Sequence, residues 1–136
     1  MSPAMQGKLS AYQSVAAHGG VAAADPHKLI MMLLDGALTR IAQAKVCGER
    51  GEKIAKSTHL QRALAIIGEL RASLDLSQGP LARNLDDLYD YITRQLLIGQ
   101  ATSDPKVLTG ASSILVEIRG AWAALPVEAR AARAAV

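Results

Sequence analysis

The chain of 136 residues has no Phe, one Trp, three Tyr and a single Cys, and it has no long apolar run. Each shortage excludes something. Without aromatics, the buried surface has to come from aliphatic side chains, and the Ala, Leu and Ile that dominate are compatible with helix throughout. Cys47 has no second cysteine for an internal disulfide and no nearby Cys or His at a metal-ligand spacing. It reads as a small residue near a helix end, and with no His–carboxylate pair to activate it there is no case for a nucleophile. The longest run of large apolar side chains, LIMMLL at 29–34, falls far short of the roughly 20 residues that span a bilayer. The opening MSPAMQGKLSAYQ also lacks the apolar stretch of a signal peptide. A cytoplasmic protein with no membrane insertion is expected. Concentrated charge is missing too: the formal balance is +3, and Lys and Arg are scattered except for Arg130 and Arg133 in an alanine-rich tail. A nucleic-acid partner is therefore not expected, because phosphate binding needs a gathered basic stripe.

What the sequence does have is sharp punctuation. ADP at 24–26, SQGP at 77–80 and SDP at 103–105 divide the chain. Two of them place Asp directly before Pro, an N-cap followed by a residue whose φ suits the first helical turn, so helices are expected to begin near 26, 80 and 105. From Pro26, Leu29, Ile30, Leu33, Leu34, Ala37, Leu38, Ile41 and Ala44 repeat at helical spacing until the turn-rich CGERGE at 47–52. Leu60, Leu64, Ile67, Leu70 and Leu74 imply a second helix. In the last helix Val107, Ala111, Ile114, Ile118, Ala121 and Leu125 form the stripe, with Leu108, Leu115 and Trp122 on its flank and Pro126 as the stop. No strand-like alternation or internal repeat is present. Four helices on short connectors predict an all-α protein, an antiparallel up-down four-helix bundle over 25–126, with a short mobile or helical N-terminal segment (1–24) and a flexible Ala/Arg tail (127–136).

The stretch NLDDLYDYITRQL at 84–96 is the one place that suggests chemistry, with three aspartates and two tyrosines in about three turns. On a wheel, Leu81, Leu85, Leu88, Ile92 and Leu96 fall within about 80° and form the expected core stripe, with Tyr89 at its edge. Asp86, Asp87 and Asp90 point the other way, and Asp90 precedes Arg94 by four residues, the favourable order for an ion pair. They read as a solvated face. None of His18, His27 or His59 belongs to a Glu-x-x-His pair of di-metal bundle type, so no metal, cofactor or catalytic residue is expected and the chain is not read as an enzyme.

Spare apolar surface remains. Tyr91 and Ile98 lie seven residues apart on a second line beside Asn84 and Gln95, and Met31 and Met32 flank the wide apolar arc of the first helix. Flexible Met at such a rim suits core gaps and partner helices alike. Together with a mean hydropathy of +0.16, these lines suggest more apolar surface than four helices can hide, which on a small domain marks a partner.

These residues also resemble a known family. NLDDLYDYITRQL is similar to the third-helix signature of the FliS family of flagellar export chaperones, through Asn84, Leu85, Leu88, Tyr89, Asp90, Tyr91 and Leu96. AYQSV around Tyr12, DPHKLIMMLLDGAL and IRGAW at Trp122 resemble further segments in the same order, covering roughly residues 12–125. Leu34 stands where the family usually has an aromatic, and Gly19-Gly20 loosens the N-terminal connector. The resemblance implies a non-enzymatic cytosolic bundle that binds the C-terminal segment of new flagellin, lets it fold on the surface and prevents its polymerisation before type III export. It also implies an N-terminal segment that occupies part of the client site. Partner-binding candidates are then Leu9, Tyr12 and Val15 as a displaceable cover, Met31 and Met32 on the first helix, and Tyr89, Tyr91, Gln95 and Ile98 on the third. Other flagellar export or regulatory proteins are further candidate partners, and spare apolar surface leaves open a homodimer when no client is bound. Two rival readings are a small helical nucleic-acid or regulatory binding protein that uses the basic tail, and a bundle that oligomerises through its apolar face.

Overall fold

The computed structural model describes residues 25–125, so expectations that fall on 1–24 and on the tail lie outside the described residues. Four helices, with no strand among the described residues, run α1 Pro26–Glu49, α2 Lys53–Ala72, α3 Pro80–Ala101 and α4 Pro105–Ala123. The three prolines open their helices as the sequence predicts. The Asp25 carboxylate accepts from the Lys28 amide at 3.3 Å, and that of Asp104 accepts from the Lys106 amide at 2.9 Å, each satisfying an orphan donor of the first turn. At the third site the device is different, because Gly79 at φ 112° turns the chain into Pro80 with no side-chain cap. Gly51, at φ 73°, makes the corresponding turn out of α1.

Each helix packs on the next, and α4 returns to α1, so the four form a closed ring of antiparallel neighbours. Cross-links between opposite helix ends fix this arrangement. Lys56, early in α2, donates to the Thr102 carbonyl just after α3 at 2.8 Å. At the other end, Arg71 late in α2 reaches Asp86 and Asp90 early in α3. Asp35 on α1 accepts from Arg119 on α4. Inside lie Leu34, Ile41, Leu60, Ile67, Leu70, Ile92, Leu96, Leu108 and Leu115, all fully buried, and each contributes about 1.5–3 kcal/mol by leaving water.

The rotation of two helices differs from the expectation. In α4 the buried line is Leu108, Leu115 and Trp122 at seven-residue spacing, together with Ala111 and Ile118, so the expected flank is the core. Ile114 and Leu125 are only partly buried and Ala121 is exposed. In α3, Tyr89 is only 3% exposed and belongs to the core, whereas Leu81 and Leu88 of the expected core stripe are 43% and 39% exposed. The α3–α4 contact explains both shifts. Gly99 sits so close to Leu108 that a Cβ there would run into the Leu108 side chain, with Cγ at 3.0 Å. The helices are thus closest beside their connector, and their far ends are free to part.

Two glycine substitutions separate packing from propensity. Ala in place of Gly in a helix gains about 1 kcal/mol in propensity, and Gly68 in α2 has open space around its Cβ position, so Gly68→Ala should raise the denaturation midpoint. Gly99→Ala should lower it, with a net loss of about 1 kcal/mol or more, because buried Leu108 has nowhere to move. Chemical denaturation of the two variants checks the opposite signs; a stabilised Gly99→Ala protein would refute the close approach.

Candidate functional site

Where the far ends of α3 and α4 part, an apolar groove of about 330 Å³ opens. Leu81, Leu85 and Leu88 form one wall, and Ile114, Ala121 and Trp122 belong to the other. Among the described residues Glu117 is the one charged side chain on its lining. The α3 leucines occupy the right face for a core, but none of the four described helices covers them at this level. Uncovered leucines on a rigid scaffold supply a surface on which an apolar helix can be buried.

The sequence candidates scatter around this groove. Leu81, Leu88 and Gln95 recur at seven-residue spacing, and Asn84, Tyr91 and Ile98 repeat the pattern one step outward on the same flank of α3. Tyr91 and Ile98 are 45% and 46% exposed, Gln95 is half-buried, and their line runs beside the groove. Tyr89 does not face it: buried in the core, it can shape the groove only from behind, which corrects the expectation of an edge position. Met31 is half-buried against the core, and Met32, 41% exposed, lies on the α1–α2 side of the ring instead. Leu9, Tyr12 and Val15 are outside the described residues. Spacing alone assigns the α3 leucines and the α4 line of Ile114, Ala121 and Leu125 to the core. The available signal was redundancy: in α4 two adjacent heptad lines are both apolar, and a helix in a ring can bury only one fully.

The aspartates are less solvated than their wheel positions suggest. Arg71 Nε donates to Asp86 at 2.6 Å and its Nη1 to Asp90 at 3.1 Å, while Arg94 reaches the other oxygen of Asp90 at 2.9 Å, the expected i,i+4 pair. The hydrogen bond to Asp86 above all, with that to Asp90, holds the Arg71 guanidinium more firmly charged. Only Asp87 is left as part of an exposed face. The cluster therefore tethers α2 to α3, and no group of three His, Cys, Asp or Glu side chains among the described residues is placed to hold a metal ion.

Trp122 ends the groove and is itself fixed by α1. His27 Nε2 lies 2.8 Å from the Trp122 carbonyl and donates to it, since a carbonyl oxygen can only accept. In return the indole N–H donates to the His27 carbonyl at 3.2 Å, and the rings stack with centroids 5.6 Å apart. Both residues are buried.

Comparison with known proteins finds relatives along most of the chain. A family model described as "Flagellar protein FliS" matches residues 8–129. The chain is 38% identical over 125 residues to the flagellar secretion chaperone FliS of Vibrio cholerae, covering 91% of this chain and 92% of that protein. It is 38% identical to flagellar secretion chaperone FliSB of Pseudomonas aeruginosa (82% and 89% covered) and 37% identical to FliS of Salmonella typhimurium (84% and 86%).

The burial of Tyr89 has a consequence in alkali. Desolvation pushes its phenol up to about 12. Burial disfavours the phenolate, so the stability tied to this group is intact below the ordinary phenol value of about 10 and is lost as pH climbs from there through about 12. Spectrophotometric titration should show a tyrosine ionising near pH 12 together with loss of helicity, and Tyr89→Phe should remove that step. Ionisation of every tyrosine near pH 10 in the folded protein would contradict the buried position.

Proposed function

The chain belongs to the FliS family of flagellar secretion chaperones, and from that premise we propose that its client is the C-terminal segment of flagellin, which it holds on the α3–α4 face in the cytoplasm and keeps from polymerising before export. The observation that carries this reading is the apolar groove that the four described helices leave open between Leu81, Leu88, Ile114 and Trp122. A client tail that folds on binding has to offset its ordering cost by burying roughly 1,000–3,000 Å². The groove alone is too small for that. The adjoining line of Tyr91, Gln95 and Ile98 extends it along α3. Tyr89 serves by holding α3 in its rotation. The role is binding without catalysis.

In this reading Leu9, Tyr12 and Val15 cover the groove when no client is present. Lys8, beside Leu9, has the charge that suits Glu117 on the groove lining. A cover that closes a fraction of the molecules lowers apparent affinity in proportion and limits self-association.

Calorimetric titration with a peptide of about 40 residues from the C-terminus of flagellin of the same organism is the direct test, with one-to-one binding, a gain in helicity and a negative ΔCp expected. Leu88→Glu should weaken binding by about tenfold or more, whereas Val116→Glu, on an exposed apolar residue away from the groove, should not. Removing residues 1–18 should tighten binding or promote aggregation. No binding by either the full-length or the shortened protein would end the client assignment; equal losses in the two Glu variants would move the site off the groove.

A further inference from the structure

Across the ring from the α3–α4 groove, α1 and α2 enclose a second hollow of about 640 Å³. Met32, Gly36 and Gln43 line it from one face of α1 and Ile66 from α2, with Arg40 and Arg62 beside them. The missing side chain at Gly36 matters here, because a Cβ at that point would project into the hollow, to 3.4 Å from the Ile66 Cδ1. Arg40 is oriented by a 3.1 Å hydrogen bond to His59 Nδ1, and Arg62 is exposed. Among the described residues no carboxylate lines this hollow, and Asp35, the acid within this stretch of α1, is held by Arg119 of α4.

We propose that this face is a docking surface for an amphipathic helix of a separate protein, one whose apolar stripe is flanked by carboxylates. Charge complementarity selects that occupant over the others. Residues 1–24 contain Lys8 and no Asp or Glu, so the chain's own N-terminal segment adds positive charge to a positive rim. Residues 127–136 set Arg130 and Arg133 against Glu128 alone and do the same. A second copy would meet the face through a two-fold axis and bring Arg40 and Arg62 of each molecule together. A helix bearing glutamates or aspartates satisfies both arginines while its apolar side chains fill the space over Gly36 between Met32 and Ile66. The two hollows lie on opposite sides of the ring, so this surface is available whether or not the α3–α4 groove is filled. The inference does not depend on the identity of the client there.

The test uses the full-length protein with labelled Met and Leu methyl groups, Met32 assigned through Met32→Leu, and a designed helical peptide of roughly 18 residues, about five turns, with a Leu/Met stripe flanked by Glu. A twin peptide with Lys at every Glu position is the control. The acidic peptide should shift the Met32 methyl signal and leave Leu88 unmoved, and it should bind about tenfold or more tightly than the twin. Arg62→Glu, on an exposed side chain that leaves the core intact, should reverse the preference. Equal affinity for the two peptides, no binding of either, shifts centred on Leu88, or indifference to Arg62→Glu each overturns the proposal. So does a Met32 signal that moves with protein concentration alone, which would assign the face to a second copy, or one that moves on removal of residues 1–24, which would assign it to the N-terminal segment.

Discussion

A ring of four helices closes only if the first and the last meet, and here they meet through His27 and Trp122. The imidazole bonds the tryptophan carbonyl at 2.8 Å and the indole bonds the histidine carbonyl at 3.2 Å, with the two rings stacked between them. Four polar groups are satisfied in one buried contact, so none carries the penalty of an unpaired group away from water. The contact draws the end of α4 toward α1. At the opposite end of α4, Gly99 lets Leu108 approach the α3 backbone closely. With one end of α4 committed to α1 and the other to α3, the first turns of α3 lose their neighbour, and Leu81 and Leu88 are left facing a groove.

Leaving apolar side chains in water reduces stability relative to a fully closed bundle, at about 25 cal/mol per Å² left uncovered. The tight parts of the molecule offset that loss. The aliphatic centre is fully buried, Arg71 fastens α2 to α3 through two aspartates, and Asp35 fastens α1 to α4. The open surfaces are therefore carried on helices whose positions are fixed elsewhere. That suits binding, because a preformed groove spares its partner the cost of ordering both sides of the interface. The two hollows also differ in sign, with Glu117 on one and Arg40 and Arg62 on the other, so similar apolar helices can be told apart by the charges that flank them.

Local rules made much of the fold legible. Pro26, Pro80 and Pro105 marked the helix starts, Asp25 and Asp104 the caps, and the seven-residue lines the helical faces. The Asp90–Arg94 pair followed from spacing alone, and so did a second apolar line through Tyr91 and Ile98 off the core stripe; that this line is exposed did not. Other features were not legible. Arg71 lies on a different helix from Asp86, so its claim on the aspartates appears nowhere in the local pattern. Tyr89 reads as an edge residue because the stripe of Leu81, Leu85, Leu88, Ile92 and Leu96 includes two leucines that are exposed, which shifts its apparent centre away from the true core face.

The sequence by itself determined four amphipathic helices, their ends and an excess of apolar surface, because caps, turns and periodicity act within a few residues of chain. Which part of that surface is spare was decided only by the tertiary structure. Two adjacent apolar lines in one helix, such as Val107–Ile114–Ala121 and Leu108–Leu115–Trp122, are nearly equivalent as periodic patterns. The choice between them rests on a rotation of the helix set by distant partners: Gly99 at one end of α4 and His27 at the other. A rotation of that size changes no local hydrogen bond, yet it moves a whole line of side chains from the core to the groove.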